Sequence, residues 1–364
     1  MNTDTPTSPS KRHARFPIFN AWLIFVAALA VTGWSWHALH DHYLQDTRAN
    51  FDLRAGNATT AIRRGFASYE QTLRGAAGLI ATTDKLTQEQ WQRYVAELRM
   101  DTSLLGAQAI GFAPIVTVGA RDAHLQVIHK DVPDYSIWPT SDAPYSTPAT
   151  YIAPLTAQNI PTRGFDFASD PIRRAAMERA ANSGTATVTG KVQLTQGTEN
   201  NVPLDSLMVL PVYKEGAMPA ANDKRQAALL GFVYTSFRLR DLIKGAVGNQ
   251  LPSIDLEIYE GQKPRTEDLL FATGHSSYHL GYTDQTLFTK SETVYINALP
   301  WTFFYATPKD FEQVVGSDAS WTVLIGGLAI SILAFGTALS SSRSRRQAIV
   351  LENRTAQDSD IERK

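Results

Sequence analysis

The sequence predicts an α+β fold, two antiparallel-sheet modules carried on a long helical stalk and flanked by two membrane-crossing helices. Three observations predict it. Apolar stretches at residues 16–39 and 321–340 bracket the chain. The segment between them is polar and of domain size. Within that segment, short strand-like runs outnumber helical ones and are joined by short turns, the pattern of antiparallel sheets with helices packed on one face.

Each apolar stretch is long enough for a helix to cross a hydrocarbon core of about 30 Å, which takes roughly 20 residues. Lys11, Arg12 and Arg15 precede the first, and Arg343, Arg345 and Arg346 follow the second. Basic residues at both outer ends place the termini, 1–15 and 341–364, in the cytoplasm and residues 41–320 outside, a two-pass topology in the inner membrane. Trp34, Trp36 and Tyr43 suit an outer interfacial belt. A signal peptide cleaved near Ala28-Leu29-Ala30 is the alternative, disfavoured because apolar residues continue to Leu39.

With 43% apolar residues, the outer segment has the material for a core, and a formal net charge of −1 argues against nucleic acid as a partner. The absence of cysteine removes disulfides, thiolate metal sites and cysteine nucleophiles together.

Ala58, Ile62, Phe66, Tyr69, Leu73, Ala76 and Ile80 recur at steps of three and four, which predicts a helix with one buried stripe. It continues the first membrane helix as a stalk over 41–82. The stripe serves either the core of its own domain or, nearer the membrane, self-association of two stalks. Thr87 followed by Gln90 is a capping-box pattern that starts a second helix through Trp91, Tyr94, Val95 and Leu98. A strand-like run at 107–118 and a short helix at 121–129 follow, then a Pro-rich stretch, 133–161, that reads as a long connecting loop. Asp170-Pro171 opens a helix running to about Asn182, with Gly184 just past its end. Strands are expected at 185–194, 206–213, 229–236, 254–259, 269–272, 292–296 and 301–305, with a helix at 240–246. The sheet modules thus occupy about 83–320. The tail carries apolar Ile349, Val350, Leu351, Ala356 and Ile361 among charges, either the start of a signalling coiled coil or a solvated end.

Three segments resemble the CHASE domain, the extracellular sensory module of bacterial histidine kinases and cyclases and of plant cytokinin receptors. SYEQTLRGAAGLIATTDKLTQEQWQRYVAEL, at 68–98, looks like the family's opening, and GAQAIGFAPIV, at 106–116, like its first strand. The most specific is RGFDFASDPIRRAAMERAANSGTATVTGKVQL, followed by MVLPVYK: a GFD, an SDP helix closing on Ser-Gly, and a PVY strand in order. The resemblance covers about 51–248. It implies two PAS-like subdomains on a long helix, a small-molecule or peptide ligand in the membrane-distal one, and a cytoplasmic kinase or cyclase output. No histidine-phosphoacceptor motif, Gly-rich ATP loop or GGDEF-like segment follows Arg346, so the output is expected on another module. A homodimer through stalk and membrane helices is expected, with Gly327-x-x-x-Ser331 and Ala334-x-x-x-Ala338 allowing close helix approach.

Asp166 lies between Phe165 and Phe167. A carboxylate so flanked accepts hydrogen bonds from a ligand amine while the rings supply apolar contact; the alternative is that it caps or orients the Asp170 helix. By the resemblance, an aspartate at the matching place in the cytokinin receptors meets the adenine edge. Val188 and Thr189 on the next strand, and Thr195 and Val209 on facing strands, fall where the resemblance places the pocket wall, with core packing the alternative for Val188 and Val209. Val209 stands where, by the resemblance, the plant receptors carry a hydroxyl residue, which weakens the transfer of cytokinin specificity and leaves purine recognition as one option.

His275 and His279 have metal-ligand spacing but sit in the Gly- and Ser-rich GHSSYHLGY, so they read as exposed loop histidines and no metal or cofactor is expected. His37, His40 and His42 read as solvated residues at the membrane boundary. No Gly-x-Ser-x-Gly elbow or His-Glu-x-x-His occurs, so the chain is not expected to be an enzyme. A membrane-anchored extracytoplasmic enzyme and a passive surface interaction module are the alternative functions.

Overall fold

The computed structural model describes residues 16–83, 85–140, 143–190, 205–214, 225, 227–248, 254–273, 286–308 and 320–361. The chain divides into two compact units, Phe51–Phe311 and, separately, Met1–Asn50 with Glu312–Lys364.

Helix α1, Phe16–Thr82, is unbroken over 67 residues. Its hydroxyl side chains do not interrupt it because Thr47, Thr59, Thr60 and Thr72 each donate to the carbonyl four residues back. Within the larger unit, Phe51, Ala55, Ala58, Ile62, Phe66, Tyr69, Leu73 and Ala76 are buried to 2% exposure or less. From Phe51 to Ala76 the stripe packs inside its own domain, the first of its two expected uses. Leucine- and isoleucine-sized members of such a stripe are worth about 2–5 kcal/mol each against alanine. Past Thr82, Thr87 caps α2, Gln88–Glu97, with both bonds of the capping box formed. Helix α3, Met100–Ser103, then leads into the first sheet.

That sheet has five strands in the order β4-β1-β7-β6-β5: β1 Ala107–Pro114, β4 Tyr151–Ala153, β5 Thr187–Val188, β6 Asp205–Tyr213 and β7 Leu229–Arg238. All its pairings are antiparallel. A smaller pair, β2 Val116–Thr117 and β3 Tyr145–Ser146, stands beside it, with helix α4, Arg121–Ile128, between them in the chain. Strands β3 and β4 fall inside the Pro-rich stretch expected to be loop. The three-residue run of β4 is too short to show periodicity, and it is a strand because it pairs with Ile110, Gly111 and Phe112 of β1. Helix α5, Pro171–Ser183, opens on the N-cap Asp170 and closes on Gly184 at φ 69°, a left-handed conformation that glycine adopts without strain.

Register gives this sheet two distinct faces. One row across the strands is Ile110, Thr235, Met208 and Val188; the adjacent row is Gly111, Tyr234, Val209 and Thr187. Side chains alternate along a strand, so the two rows point to opposite faces. The first face meets α1 and α2: Phe237, two residues on from Thr235, has its ring 5.9 Å from Phe66 and 5.1 Å from Tyr69. The Trp91 indole donates to the Ile110 carbonyl at 3.1 Å. The second face is covered by Ala176, Met177 and Ala180 of α5 and by Phe165 and Phe167.

Helix α6, Leu239–Val247, connects to a second sheet of order β10-β11-β8-β9: β8 Asp255–Glu260, β9 Leu269–Ala272, β10 Thr289–Ile296 and β11 Leu299–Ala306. It too is antiparallel throughout. Helix α1 lies against this sheet as well, with Phe66 edge-on to Trp301 at 5.4 Å and Thr59 bonded to Tyr305 at 2.7 Å and to Glu292. Two antiparallel-sheet modules on one long helix make the fold α+β, in agreement with the sequence reading.

In the smaller unit, α1 and helix α7, Ser320–Ile361, are each long and apolar enough to cross a membrane. Phe335 packs on Trp22 and Phe25 at 5.2 and 5.1 Å, and Trp36 on Trp321 at 6.0 Å. A Cβ on Gly327 would lie 2.3 Å from Thr32 Cγ2, while Ser331 is buried and donates to the Gly327 carbonyl at 2.7 Å. Gly327 thus allows close approach of α7 to α1 within the chain.

Candidate functional site

The second face of the first sheet gathers polar groups inside an aromatic cluster. The chain reaches it through residues 164–167, which ladder against 147–149: Ala149 N–H donates to the Phe165 carbonyl at 3.0 Å, and Phe167 N–H to the Thr147 carbonyl at 3.0 Å. This fixes Asp166, 1% exposed, with its side chain inward. Its Oδ1 accepts from the Thr147 N–H at 2.7 Å and the Ala168 N–H at 3.0 Å. Asp166 thereby caps the 3-10 turn Phe167–Ser169, whereas the following helix α5 has its own cap in Asp170. Oδ2 is equally buried and has no hydrogen-bond partner among the described residues. One oxygen thus serves the fold and the other is unspent.

Tyr234, at the centre of the row Gly111, Tyr234, Val209 and Thr187, is 1% exposed, and its hydroxyl also has no partner among the described residues. Its ring lies edge-on to Phe167 at 4.7 Å, and Phe167 is 5.9 Å from Phe165. Gly111 makes room for this ring, since a Cβ there would sit 2.3 Å from the Tyr234 hydroxyl. Arg173 enters from α5, 4% exposed, with its guanidinium 4.9 Å from the Phe165 ring centre and 5.6 Å from that of Phe167. Asp170 Oδ2 meets Arg173 Nη1 at 3.1 Å. Burial pushes the Tyr234 phenol well above its usual range, Tyr135 adds to the rise, and the charge of Arg173 opposes it. Burial also lowers the Arg173 pKa, with Asp170 acting against that.

Beside this cluster, the Tyr135 hydroxyl lies 3.1 Å from Thr150 Oγ1 and 3.2 Å from His124 Nε2. Burial raises the Tyr135 phenol, and Asp166 is among the charges that raise it further. Burial lowers the His124 pKa to about 4.

The structure therefore brings Asp166, Phe165, Phe167 and Val209 onto one face. Val188 is fully buried and lies in the opposite row with Met208, whereas its neighbour Thr187 shares the row of Val209. Thr189 is buried and closes the sheet edge, accepting from the Leu207 N–H through its hydroxyl at 2.9 Å. Thr195, His275 and His279 lie outside the described residues. Sequence reading missed Tyr234, Arg173, Tyr135 and Gly111. Arg173 carried a readable signal, because it stands three, four and seven residues before Ala176, Met177 and Ala180, a charge within the buried stripe of α5. Among the described residues no cluster of His, Cys, Asp and Glu could hold a metal ion.

Among solved structures, the chain is similar to an extracellular ligand-binding receptor from Desulfohalobium retbaense, at 9% identity and a TM-score of 0.45, over 71% of this chain and 40% of that one. It is also similar to the periplasmic sensory domain of the Campylobacter jejuni chemoreceptor Tlp1, at 6% identity and a TM-score of 0.44, over 74% of this chain and 96% of that one. No curated protein matches it in sequence. The CHASE domain model matches residues 84–271, from the approach to α2 through β9, so it takes in the whole candidate site and more than half of the chain. CHASE domains are sensory rather than catalytic, and the chain belongs to the CHASE family, the ligand-sensing input modules of receptors.

Proposed function

We propose that this chain is the input half of a two-pass receptor of the inner membrane. Its first sheet module, the membrane-distal PAS-like subdomain by family pattern, takes up a small molecule or peptide. The response passes through α1 and α7 to a cytoplasmic histidine kinase or cyclic-dinucleotide module. Residues 16–39 and 321–340 are the membrane segments, 41–320 the periplasmic sensor, and 1–15 and 341–364 the cytoplasmic ends. The length and apolar character of α1 and α7, with the basic residues beyond them, support this layout.

The observation that carries the reading is the pair of buried, unpartnered polar atoms in one aromatic cluster, Asp166 Oδ2 and the Tyr234 hydroxyl. Each unsatisfied buried group costs about 1–3 kcal/mol, and a ligand that completes both bonds accounts for their retention. Arg173, Phe165, Phe167, Val209 and Thr187 form the surrounding wall. Binding favours one of two arrangements of this module against α1, and it shifts that equilibrium only by its affinity difference between them. Dimerisation falls to residues of α1 outside the buried stripe, such as Leu53, which is 61% exposed.

A thermal-shift screen of the full chain in detergent against nucleobases, amino acids, carboxylates and peptides tests the reading. A ligand at 100 times its Kd adds about 2.7 kcal/mol to stability. The shift should shrink in Asp166→Asn, which keeps the capping oxygen and turns the unspent acceptor into a donor. A stabiliser indifferent to Asp166→Asn would remove this residue from the site.

A further inference from the structure

We infer that the groove between α1 and the β10–β11 hairpin is a second ligand site, independent of the one at Asp166. Its ligand is a small molecule with two or more negative charges, carried on carboxylate or phosphate groups. The groove has a volume of about 420 Å³, the size of a small-molecule site.

One wall is α1. Thr60, Arg63, Arg64 and Ala67 line it at steps of three, one and three, so they share one face of the helix. Arg63 and Arg64 are exposed, and neither has an acidic partner among the described residues. The acidic residue of the groove, Glu70, is already engaged at both oxygens. Its Oε1 accepts from Arg74 Nη2 at 2.6 Å and its Oε2 from Asn297 Nδ2 at 2.9 Å. The groove therefore carries two positive charges that no lining residue offsets.

The other wall is the hairpin. Ile296 pairs with Leu299 across the two-residue turn Asn297-Ala298. In such a hairpin the pair flanking the turn exchanges its backbone bonds and the next pair does not. The Thr307 N–H, bonded to the Phe288 carbonyl at 3.0 Å, fixes the same alternation at the far end. Tyr295, which lines the groove, therefore turns its N–H out from β10, an edge strand, where no other strand meets it. Asn297 and Ala298 both stand at positive φ, 46° and 67°, and alanine is costly there unless its surroundings hold it. The Asn297–Glu70 bond is such a hold, and it ties the two walls together.

These donors set the ligand class. A guanidinium grips an oxyanion through two N–H groups at once, and two of them on one helix face suit a molecule with at least two anionic charges. A single charge would engage one arginine and leave the other to water. A second copy of the chain is the wrong occupant, because a two-fold contact centred here would bring four guanidiniums together. An anion held by both walls strengthens the tie between α1 and the second sheet.

The test is calorimetry on the full chain in phosphatidylcholine nanodiscs, whose lipid carries no net charge, at constant ionic strength. Succinate, citrate and inorganic phosphate are the probes, and acetate is the singly charged control. At least one probe should bind about tenfold or more tightly than acetate, and Arg63→Gln and Arg64→Gln should each weaken it about tenfold to a hundredfold. Both arginines are exposed, so these variants should fold. Arg93→Gln removes the same charge from α2 and should leave binding unchanged. Arg64→Lys keeps the charge but loses the two-pronged grip, so it too should weaken the probe. No probe binding better than acetate overturns the proposal. Full affinity in Arg64→Lys, or an equal loss in Arg93→Gln, reduces the effect to bulk charge and overturns it as well. So does an Arg64→Cys variant that cross-links two chains in membranes without added anion, since the groove would then belong to a second copy.

Discussion

At the scale of single residues, Gly111 and Tyr234 are a tightly constrained pair in the first module. Gly111→Ala places a methyl group 2.3 Å from the Tyr234 ring and hydroxyl and 2.5 Å from the Tyr151 carbonyl oxygen, so both ring and backbone must move, at a cost of about 1–3 kcal/mol or more for overpacking. Gly119→Ala, where nothing lies within 4 Å of the added carbon, is the control and should change little. Denaturant midpoints of the two variants check this. His124 sets a pH dependence. Its folded pKa lies near 4 against 6.5 for the free group, so between those values the unfolded chain binds a proton that the folded chain does not. Stability therefore falls as pH drops from about 6.5 towards 4 and gains nothing further from this group above that window. His124→Gln should flatten this part of the melting-temperature profile. Asp166 and its flanking rings were legible in the sequence because three adjacent residues announce them. Tyr234 was not, since only the pairing of β6 with β7 decides which side chains share its face.

At the scale of elements, helix α5 carries the buried Arg173 and depends on its cap. Asp170 accepts from the Ile172 N–H at 2.8 Å and the Arg173 N–H at 3.1 Å while pairing with the Arg173 guanidinium. Asp170→Ala loses the cap, about 1 kcal/mol, and also removes the carboxylate from a buried cation, a loss of about 3–5 kcal/mol where such pairs have been broken. Asp170→Asn keeps the cap and should cost less; equal costs would show that the ion pair adds nothing. Thr87→Ala should destabilise by about 1 kcal/mol through loss of the capping box. Both helix starts could be read from sequence because caps are local chemistry. Strands β3 and β4 could not, for they are strands only by virtue of their partners, and which of Thr187 and Val188 shares the face of Val209 was hidden for the same reason: a one-residue difference in register exchanges the two faces. The α1 stripe showed its period plainly, but periodicity does not say which surface it will meet.

At the scale of the whole molecule, α1 and α7 pack on each other within one chain. The protein has no cysteine, so Thr32→Cys with Gly327→Cys gives a background-free pair. Oxidation in membranes should yield a disulfide within the chain, and a product made only of cross-linked pairs of chains would contradict the packing of the two helices within one chain. Topology is checked by fusions: reporters after Arg346 should be active only as cytoplasmic reporters, and those near Gly261 only as periplasmic ones. The central claim is that the second face of the first sheet receives a ligand at its two unspent polar atoms. A crystal structure of the full chain with the strongest stabiliser from the screen tests it most directly. A ligand donor is expected within hydrogen-bond distance of Asp166 Oδ2 and a ligand acceptor within the same reach of the Tyr234 hydroxyl. Density for the stabiliser elsewhere, with both atoms still unpartnered, would contradict it.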